Sequence, residues 1–183
     1  LNILVIDCGI KNSQLRALLK HDVQLTLVDS NYHFLDEVLD KKYDGIFLSN
    51  GPGDPRSSVS VVNQLSRIFT EKVQIPVFGI CYGHQLIGLA SGNSIGKMKY
   101  GNRGHNIPSN LVGTQKCYIT SQNHGFEVKL NNTSSEWKEL FVNSNDGSNE
   151  GLIHTSEPYF SVQFHPEARA GPTDTEFLFK IFI

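Results

Sequence analysis

Residues 77–85 run Val77-Phe78-Gly79-Ile80-Cys81-Tyr82-Gly83-His84-Gln85. The first part, Val77–Ile80, is a short apolar run suited to a buried strand, and Tyr82–Ala90 continues with apolar residues at helical spacing. Cys81 stands at the junction in a G-x-C-x-G, the pattern of a strand-to-helix turn that carries a nucleophile at its tip. The flanking glycines permit a strained backbone and keep the turn clear of side chains. Such a turn would lift Cys81 above the C-terminal edge of a sheet and set it at the start of a helix, whose positive end favours thiolate over thiol. The plain alternative is an inert cysteine buried at a strand end, the reading that fits Cys8 and Cys117.

Upstream, the same alternation repeats. Leu1–Asp7, Val23–Val28 and Ile46–Ser49 read as strands; Asn12–Lys20, Phe34–Leu39 and Val59–Phe69 read as helices, the last with Val62, Leu65, Ile68 and Phe69 on one face. Strands and helices alternating at these lengths predict βαβ units. The expected fold is therefore α/β, an open, mostly parallel sheet with helices on both faces. Downstream the pattern changes. Cys117–Thr120, Phe126–Leu130, Leu140–Asn143, Gly151–Thr155 and Tyr159–Phe164 are short extended runs between Asn/Ser/Gly-rich turns, predicting antiparallel strands added to the parallel sheet. The polar stretches Asn131–Ser135 and Asn143–Glu150 read as surface turns. A last helix is expected near Thr173, where Thr173 and Glu176 form a T-x-x-E capping box just after Pro172.

The 183 residues, without an internal repeat, predict one domain spanning 1–183. The chain opens inside an apolar run at Leu1 rather than at an initiator Met, as expected of a piece of a longer protein. With 39% hydrophobic and 19% charged residues it has material for a core and too little charge for disorder. A formal net charge of −2 argues against nucleic-acid binding. No run approaches a membrane span, and no signal peptide is visible. Three cysteines without C-x-x-C spacing argue against a disulfide framework and fit a reducing, cytoplasmic setting. The N-x-S/T triplets headed by Asn131 and Asn132 are read as chance occurrences.

A thiolate nucleophile needs a proton-transfer partner. His165 lies in Ser161-Val162-Gln163-Phe164-His165-Pro166-Glu167, where an extended run ends and Glu167 follows two residues on, close enough to orient the imidazole. Cys81, His165 and Glu167 thus supply the nucleophile, base and orienting acid of a triad, which is recognised by roles and not by chain order. The alternative is a surface His-Pro turn with a solvated Glu. Gly51-Pro52-Gly53 follows the third strand at the same sheet edge, and its N–H groups, with that of Tyr82, are candidates for holding an oxyanion; the alternative is a plain turn. The run lacks the Lys-Ser/Thr of a P-loop, and no G-x-G-x-x-G follows the first strand, which argues against ATP or dinucleotide binding. His21, His33 and His154 read as surface residues. His84 belongs to the elbow helix. Gly101–Asn106 (with His105) and Gln122–Phe126 (with His124) read as Gly/Asn loops that line a pocket through backbone groups. No histidine has ligand spacing, so no metal is expected.

Together, GICYGHQ, SNGPGDP and VQFHPE resemble the motifs of class I (triad-type) glutamine amidotransferases, in that family's order, between Ser49 and Glu167. DCGIKNS, GNRGHN, SQNHGF, NSNDGSNEG and HPEARAGPTDTEFLF extend the resemblance over nearly the whole chain, to the glutaminase domain of carbamoyl-phosphate synthetase, most closely the eukaryotic pyrimidine-pathway type. The resemblance implies a flavodoxin-like open sheet, Cys81 as nucleophile, His165 as general base and acid, and Glu167 as its orienter. It implies glutamine contacts from Gly51, Gly53, Tyr82, Gln85, Asn123, Gly125 and Phe126, mostly through backbone. It further implies hydrolysis of L-glutamine through a γ-glutamyl thioester, and delivery of ammonia to a carbamoyl-phosphate synthetase domain or subunit. The other implied partners are a preceding N-terminal small domain, and aspartate transcarbamoylase and dihydroorotase in a multifunctional chain. No cofactor is expected in this domain; ATP, Mg and bicarbonate belong to the synthetase portion.

Two points depart from the family pattern. Tyr82 stands where the family more often has a small or aliphatic residue; a backbone role tolerates this, and whether the ring narrows the pocket mouth is left open by the sequence. The preceding domain that completes the family's site is not in this chain. The alternatives are an amidotransferase serving anthranilate or GMP synthesis, a non-catalytic regulatory domain of the same fold, and a cysteine peptidase. The intact Cys81/His165/Glu167 set argues against the second, and GNRGHN, NDGSNEG and AGPTDTE against the first.

Overall fold

The computed structural model describes residues 1–131 and 135–183. In chain order the elements are β1 (Asn2–Asp7), α1 (Asn12–Leu18), β2 (Gln24–Asp29), α2 (Leu35–Leu39), β3 (Gly45–Leu48), α3 (Val59–Thr70), β4 (Val77–Ile80), α4 (Tyr82–Ala90), β5 (Ser94–Leu111), β6 (Cys117–Lys129), β7 (Trp137–Asn143), β8 (Asn149–His154), β9 (Tyr159–Val162) and α5 (Phe177–Phe182), with a 3-10 turn at Pro55–Ser57. All nine strands join one sheet in the order β2-β1-β3-β4-β9-β8-β7-β5-β6. The pairs from β2 to β9 are parallel and those from β9 to β6 antiparallel, as the two halves of the sequence predict.

The alternating side chains of β1 explain the layering. Leu4 and Ile6 enter one core with Leu65, Ile68 and Phe69 of α3 and Leu86 and Ile87 of α4. Ile3 and Val5 enter the other, with Ala17 and Leu18 of α1 and Leu178, Phe179 and Phe182 of α5. Each fully buried Leu, Ile or Phe contributes about 1.5–3 kcal/mol of transfer free energy. In the second core Phe78 stacks on Phe160 at 4.5 Å, tying β4 to β9 and so the cysteine's strand to the histidine's. Among the described residues no helix is long and apolar enough to cross a membrane.

Several expectations are corrected. Gly101–Asn106 and Gln122–Phe126 are not loops: they lie inside β5 and β6, where a long antiparallel hairpin overrides the turn preference of Gly and Asn. That hairpin is irregular. Between the Lys97–Phe126 and Asn102–His124 pairs, β5 carries four residues (98–101) against the single Gly125 of β6. The helix expected near Thr173 begins at Phe177; the Glu176 N–H donates to Thr173 O in a turn, and the carboxylate of Glu176 pairs with Lys20 instead of closing a capping box. His154 is buried, its Nδ1 accepting the N–H groups of Ser156 and Glu157, and is not a surface residue. Cys117 is exposed rather than buried. Cys8 is half-buried, and burial with the Asp7 charge pushes its thiol up to about 12, which leaves it unreactive. The sequon headed by Asn132, and part of those readings placed on Asn131–Ser135, fall on residues 132–134, outside the described residues.

Candidate active site

Cys81 occupies φ 55°, ψ −98°, between the last residue of β4 and the first of α4. A non-glycine residue there stores about 1–3 kcal/mol of strain, held only because its surroundings fix it. Its N–H donates to Val162 O at 2.9 Å, and the Gly83 N–H donates to Ser49 O at 3.0 Å. The glycines are required by space: a Cβ on Gly83 would sit 2.4 Å from Leu48 O, and one on Gly79 would sit 2.7 Å from the Gly83 carbonyl. The sulfur lies 4.0 Å from Asn123 O of β6.

His165 follows β9 and is tied across to β6, its N–H donating to Ser121 O at 2.8 Å. Its Nδ1 donates to Glu167 Oε1 at 2.8 Å, which leaves Nε2 as the atom available to the Cys81 side chain in the cavity that both residues line. Burial alone would hold this imidazole neutral. The hydrogen bonds to Cys81 and Glu167, and the charge of both, outweigh burial and raise it to about 10. Glu167 has no exposed side-chain surface, yet its carboxyl lies below the ordinary range: burial pushes it up, and the His165 hydrogen bond and the charges of His165 and Lys11 more than reverse this. Lys11 Nζ lies 3.0 Å from the same Oε1 and donates to Ala168 O at 3.2 Å. Lys11 belongs to the DCGIKNS segment, but nothing in its spacing singled it out.

Cys81 and His165 open into a cavity of about 900 Å³ that Gly51, Gly53, Gln85, Asn123, Gly125 and Phe126 also line. The register jump of the hairpin falls at this cavity and leaves Gly125 with no residue in register opposite it, as bulges beside binding sites do. Gly51 packs against β1, where a Cβ would meet Cys8 O at 2.2 Å; Gly53, at φ +93°, has open space around it. The N–H groups of Gly53 and Tyr82 donate to no backbone group among the described residues. Gln85 Nε2 donates to Phe126 O at 3.2 Å and Gln163 Oε1 at 3.1 Å, so its oxygen is the atom left for a ligand.

The side chain of Tyr82 does not border the cavity. Its ring is buried and does not narrow the mouth; its hydroxyl meets Ser58 Oγ at 2.9 Å and donates to Asp54 O at 3.3 Å, bracing the Gly51–Asp54 turn from behind. Glu167 also stands outside this cavity, behind His165, and borders a second hollow of about 240 Å³. The cavity wall also carries two cations to which the sequence reading gave no role. Lys97 and Arg103 come from β5, and Arg103, opposite Asn123, donates from Nη1 to Tyr100 O at 2.6 Å across the irregular stretch. Among the described residues no group of three or more His, Cys, Asp or Glu is arranged to hold a metal ion.

A strained cysteine, an imidazole charged by its neighbours and a buried carboxylate behind it can carry out acyl transfer on a small amide. The comparisons with known proteins agree with that chemistry. The family model described as glutamine amidotransferase class-I matches residues 4–183. The multifunctional protein ura1 of Schizosaccharomyces pombe is 54% identical over 183 residues, all of this chain and 8% of that protein. The carbamoyl phosphate synthase arginine-specific small chain of Candida albicans is 51% identical over 182 residues, and the chain spans 42% of its length. A solved Thermoplasma acidophilum protein described as a GMP synthase subunit superposes with a TM-score of 0.79 at 22% identity, covering 100% of this chain and 92% of that one, a likeness of fold.

Proposed function

The chain belongs to the class-I glutamine amidotransferase family, and from that premise we propose that it hydrolyses L-glutamine to glutamate and ammonia and supplies the ammonia to a carbamoyl-phosphate synthetase of pyrimidine biosynthesis. The observation that carries the glutaminase reading is that Cys81 and His165 line one cavity, with Glu167 behind His165 and bonded to its Nδ1.

The Cys81 sulfur attacks the side-chain carboxamide carbon. The Gly53 and Tyr82 N–H groups receive the oxyanion, and losing one such donor typically costs about 3–4 kcal/mol of barrier. His165 Nε2 passes a proton to the departing nitrogen, so ammonia leaves and a γ-glutamyl thioester remains on Cys81. His165, now neutral, takes a proton from water, whose oxygen adds to the thioester carbon; collapse releases glutamate and returns the proton to the Cys81–His165 pair. Glu167 holds the imidazole with Nε2 toward the sulfur throughout. Gly51, Gln85, Asn123, Gly125 and Phe126 hold the amino acid.

The synthetase partnership rests on the relatives. The chain spans less than half of the length of the proteins it matches, and these are multifunctional chains and carbamoyl phosphate synthase small chains. The proposed partners are thus a synthetase portion, which brings ATP, Mg and bicarbonate, and a small domain preceding this one. Aspartate transcarbamoylase and dihydroorotase complete the multifunctional form, and the setting is the cytoplasm. An arginine-specific synthetase is the second reading, favoured by a small-chain relative at 51% identity beside the multifunctional one at 54%.

The test is glutamate and ammonia release from glutamine by the full-length protein, with Cys81→Ala as the control. A glutamine-mimicking electrophile should label Cys81 alone; an adduct at Cys8 or Cys117 overturns the nucleophile assignment. Carbamoyl phosphate formed from glutamine, ATP and bicarbonate tests the partnership, and its inhibition by a pyrimidine nucleotide or by arginine separates the two readings.

A further inference from the structure

Two buried titratable side chains outside the Cys81–His165–Glu167 set are joined through one amide. His124 stands in β6 between Asn123 and Gly125, and Glu150 in β8 has no exposed surface. His124 Nδ1 lies 2.9 Å from Phe126 O, and His124 Nε2 lies 2.9 Å from one end of the Gln122 amide. The other end of that amide lies 2.9 Å from Glu150 Oε2 and 3.1 Å from Thr120 Oγ1, a hydroxyl whose own proton goes to Ile107 O at 2.7 Å. Glu150 Oε1 accepts from Asn143 Nδ2 at 2.9 Å.

The protons can be counted from these contacts. Phe126 O is an acceptor only, so His124 Nδ1 carries a hydrogen. If the Gln122 oxygen faces His124, Nε2 must carry one too, and a buried imidazolium stands beside a Glu150 carboxylate. If the amide is reversed, its N–H donates to a bare Nε2 and its oxygen accepts from a protonated Glu150. Both arrangements hold one shared proton and no net charge; the first satisfies every contact, and the second gives up only the one between Gln122 and Thr120 Oγ1. Remove that proton and acceptors face both ends of Gln122, which has one donor end; add another and donors face both.

We propose that Glu150 and His124 hold a single proton between them across Gln122, and that this proton positions segment 124–126 for glutamine, making Glu150 a positioning residue of the site. The inference rests on the glutaminase reading of the cavity. The neutral arrangement is the resting one, because a second imidazolium would be buried beside the charged His165. Burial drives Glu150 up to about 8, with the Asp146 charge adding to it and the Asn143, Gln122 and Ser148 hydrogen bonds opposing, and drives His124 down to about 4. His165 and Arg103 also push His124 down, while Asp146 and the Phe126 carbonyl oppose them. Glu150 then donates to Gln122, Gln122 to His124, and His124 to the Phe126 carbonyl that Gln85 also holds.

The experiment is the pH dependence of KM for glutamine in the full-length protein. In the unsubstituted enzyme KM should climb about tenfold per pH unit once the shared proton is lost. Glu150→Ala should raise KM about fivefold at neutral pH, the size of one lost hydrogen bond. Glu150→Gln presents a permanent donor to Gln122 and an acceptor to Asn143, so it should rescue KM and abolish its alkaline rise. The amino group of glutamine and His165 titrate in both proteins and cancel in the comparison. An alkaline rise that persists in Glu150→Gln, or is absent from the unsubstituted enzyme, overturns the proposal. Nitrogen-15 shifts of His124 decide proton placement without any activity: the Nδ1–H tautomer at pH 7 is expected, an imidazolium there overturns the neutral resting arrangement, and an Nε2–H tautomer overturns the shared proton itself. Absence of glutamine hydrolysis altogether would fall on the functional reading, with the tautomer still measured.

Discussion

Lys11 Nζ and His165 Nδ1 share one acceptor: Glu167 Oε1 lies 3.0 Å from the first and 2.8 Å from the second, while Oε2 has no hydrogen-bond partner among the described residues. The carboxylate is thereby turned toward the imidazole and kept ionised by two cations. Replacing Lys11 with Met removes one of them and leaves burial less opposed. The Glu167 carboxyl should rise, so the acid limb of kcat/KM should move to higher pH, with kcat at pH 7.5 reduced about tenfold or less. A pH–rate profile from pH 5 to 8 checks this; an acid limb that stays in place shows that Lys11 does not act through Glu167.

Tyr82 braces the turn that carries Gly53. Tyr82→Phe keeps the ring and deletes the contacts to Ser58 Oγ and Asp54 O. One hydrogen bond of this kind is worth about 1 kcal/mol. The expected outcome is a loss of about that much stability by urea denaturation, together with a fall of a few-fold in kcat, because the Gly53 N–H loses its support. Full activity in a variant destabilised by that amount would separate the brace from the reaction.

The glycines should divide into two classes. Gly51→Ala and Gly83→Ala place a Cβ 2.2 Å from Cys8 O and 2.4 Å from Leu48 O, and backbone atoms cannot step aside. Both variants should lose glutaminase activity, with destabilisation above about 3 kcal/mol. Gly53→Ala meets no neighbour and carries only the cost of φ +93°, about 1–2 kcal/mol, so the folded protein should survive with KM raised. Thermal melts beside KM measurements read both.

The parallel half of the sheet was legible because its signals are local. Leu4, Ile6, Leu65 and Leu86 each carry the period of their element, and G-x-C-x-G marks its turn within five residues. The β5–β6 hairpin was legible only at the two ends of β6, Cys117–Thr120 and Phe126–Leu130: Asn102, Gly104 and Asn123 favour turns on their own, and cross-strand pairing some twenty residues away makes them strands. The candidate triad could be read from motifs, since each member sits in a distinctive context. Lys11, Arg103, Gln122 and Glu150 lie within segments that carry the family resemblance, but their roles could not be read there, because a lysine, an arginine, a glutamine and a glutamate are ordinary anywhere on a surface. What distinguishes them is the neighbours that folding brings, among them Glu150 for Gln122, 28 residues away, and Ala168 for Lys11, 157 residues away.

His84 gives the sharpest test of stability against pH. It is fully buried in α4, its Nδ1 meets Ser161 Oγ at 2.9 Å, and burial holds its imidazole neutral down to about 3, the His124 charge adding to the effect. In the unfolded chain the same group takes up a proton near pH 6.5. Its contribution to stability is therefore complete above pH 6.5 and is lost as pH falls toward 3, by at most about 1.4 kcal/mol per unit. His124 adds a loss of the same sign, whereas Glu150, raised to about 8, gains stability over pH 8 to 4.5 and offsets one of the two. His165, raised to about 10, is protonated in both states below pH 6 and stays silent there. His84→Asn keeps a group that can bond Ser161 and removes the titration. Between pH 6.5 and 5 the variant should lose about 2 kcal/mol less than the unsubstituted protein in urea denaturation; equal losses in the two would mean that His84 is protonated in the folded state.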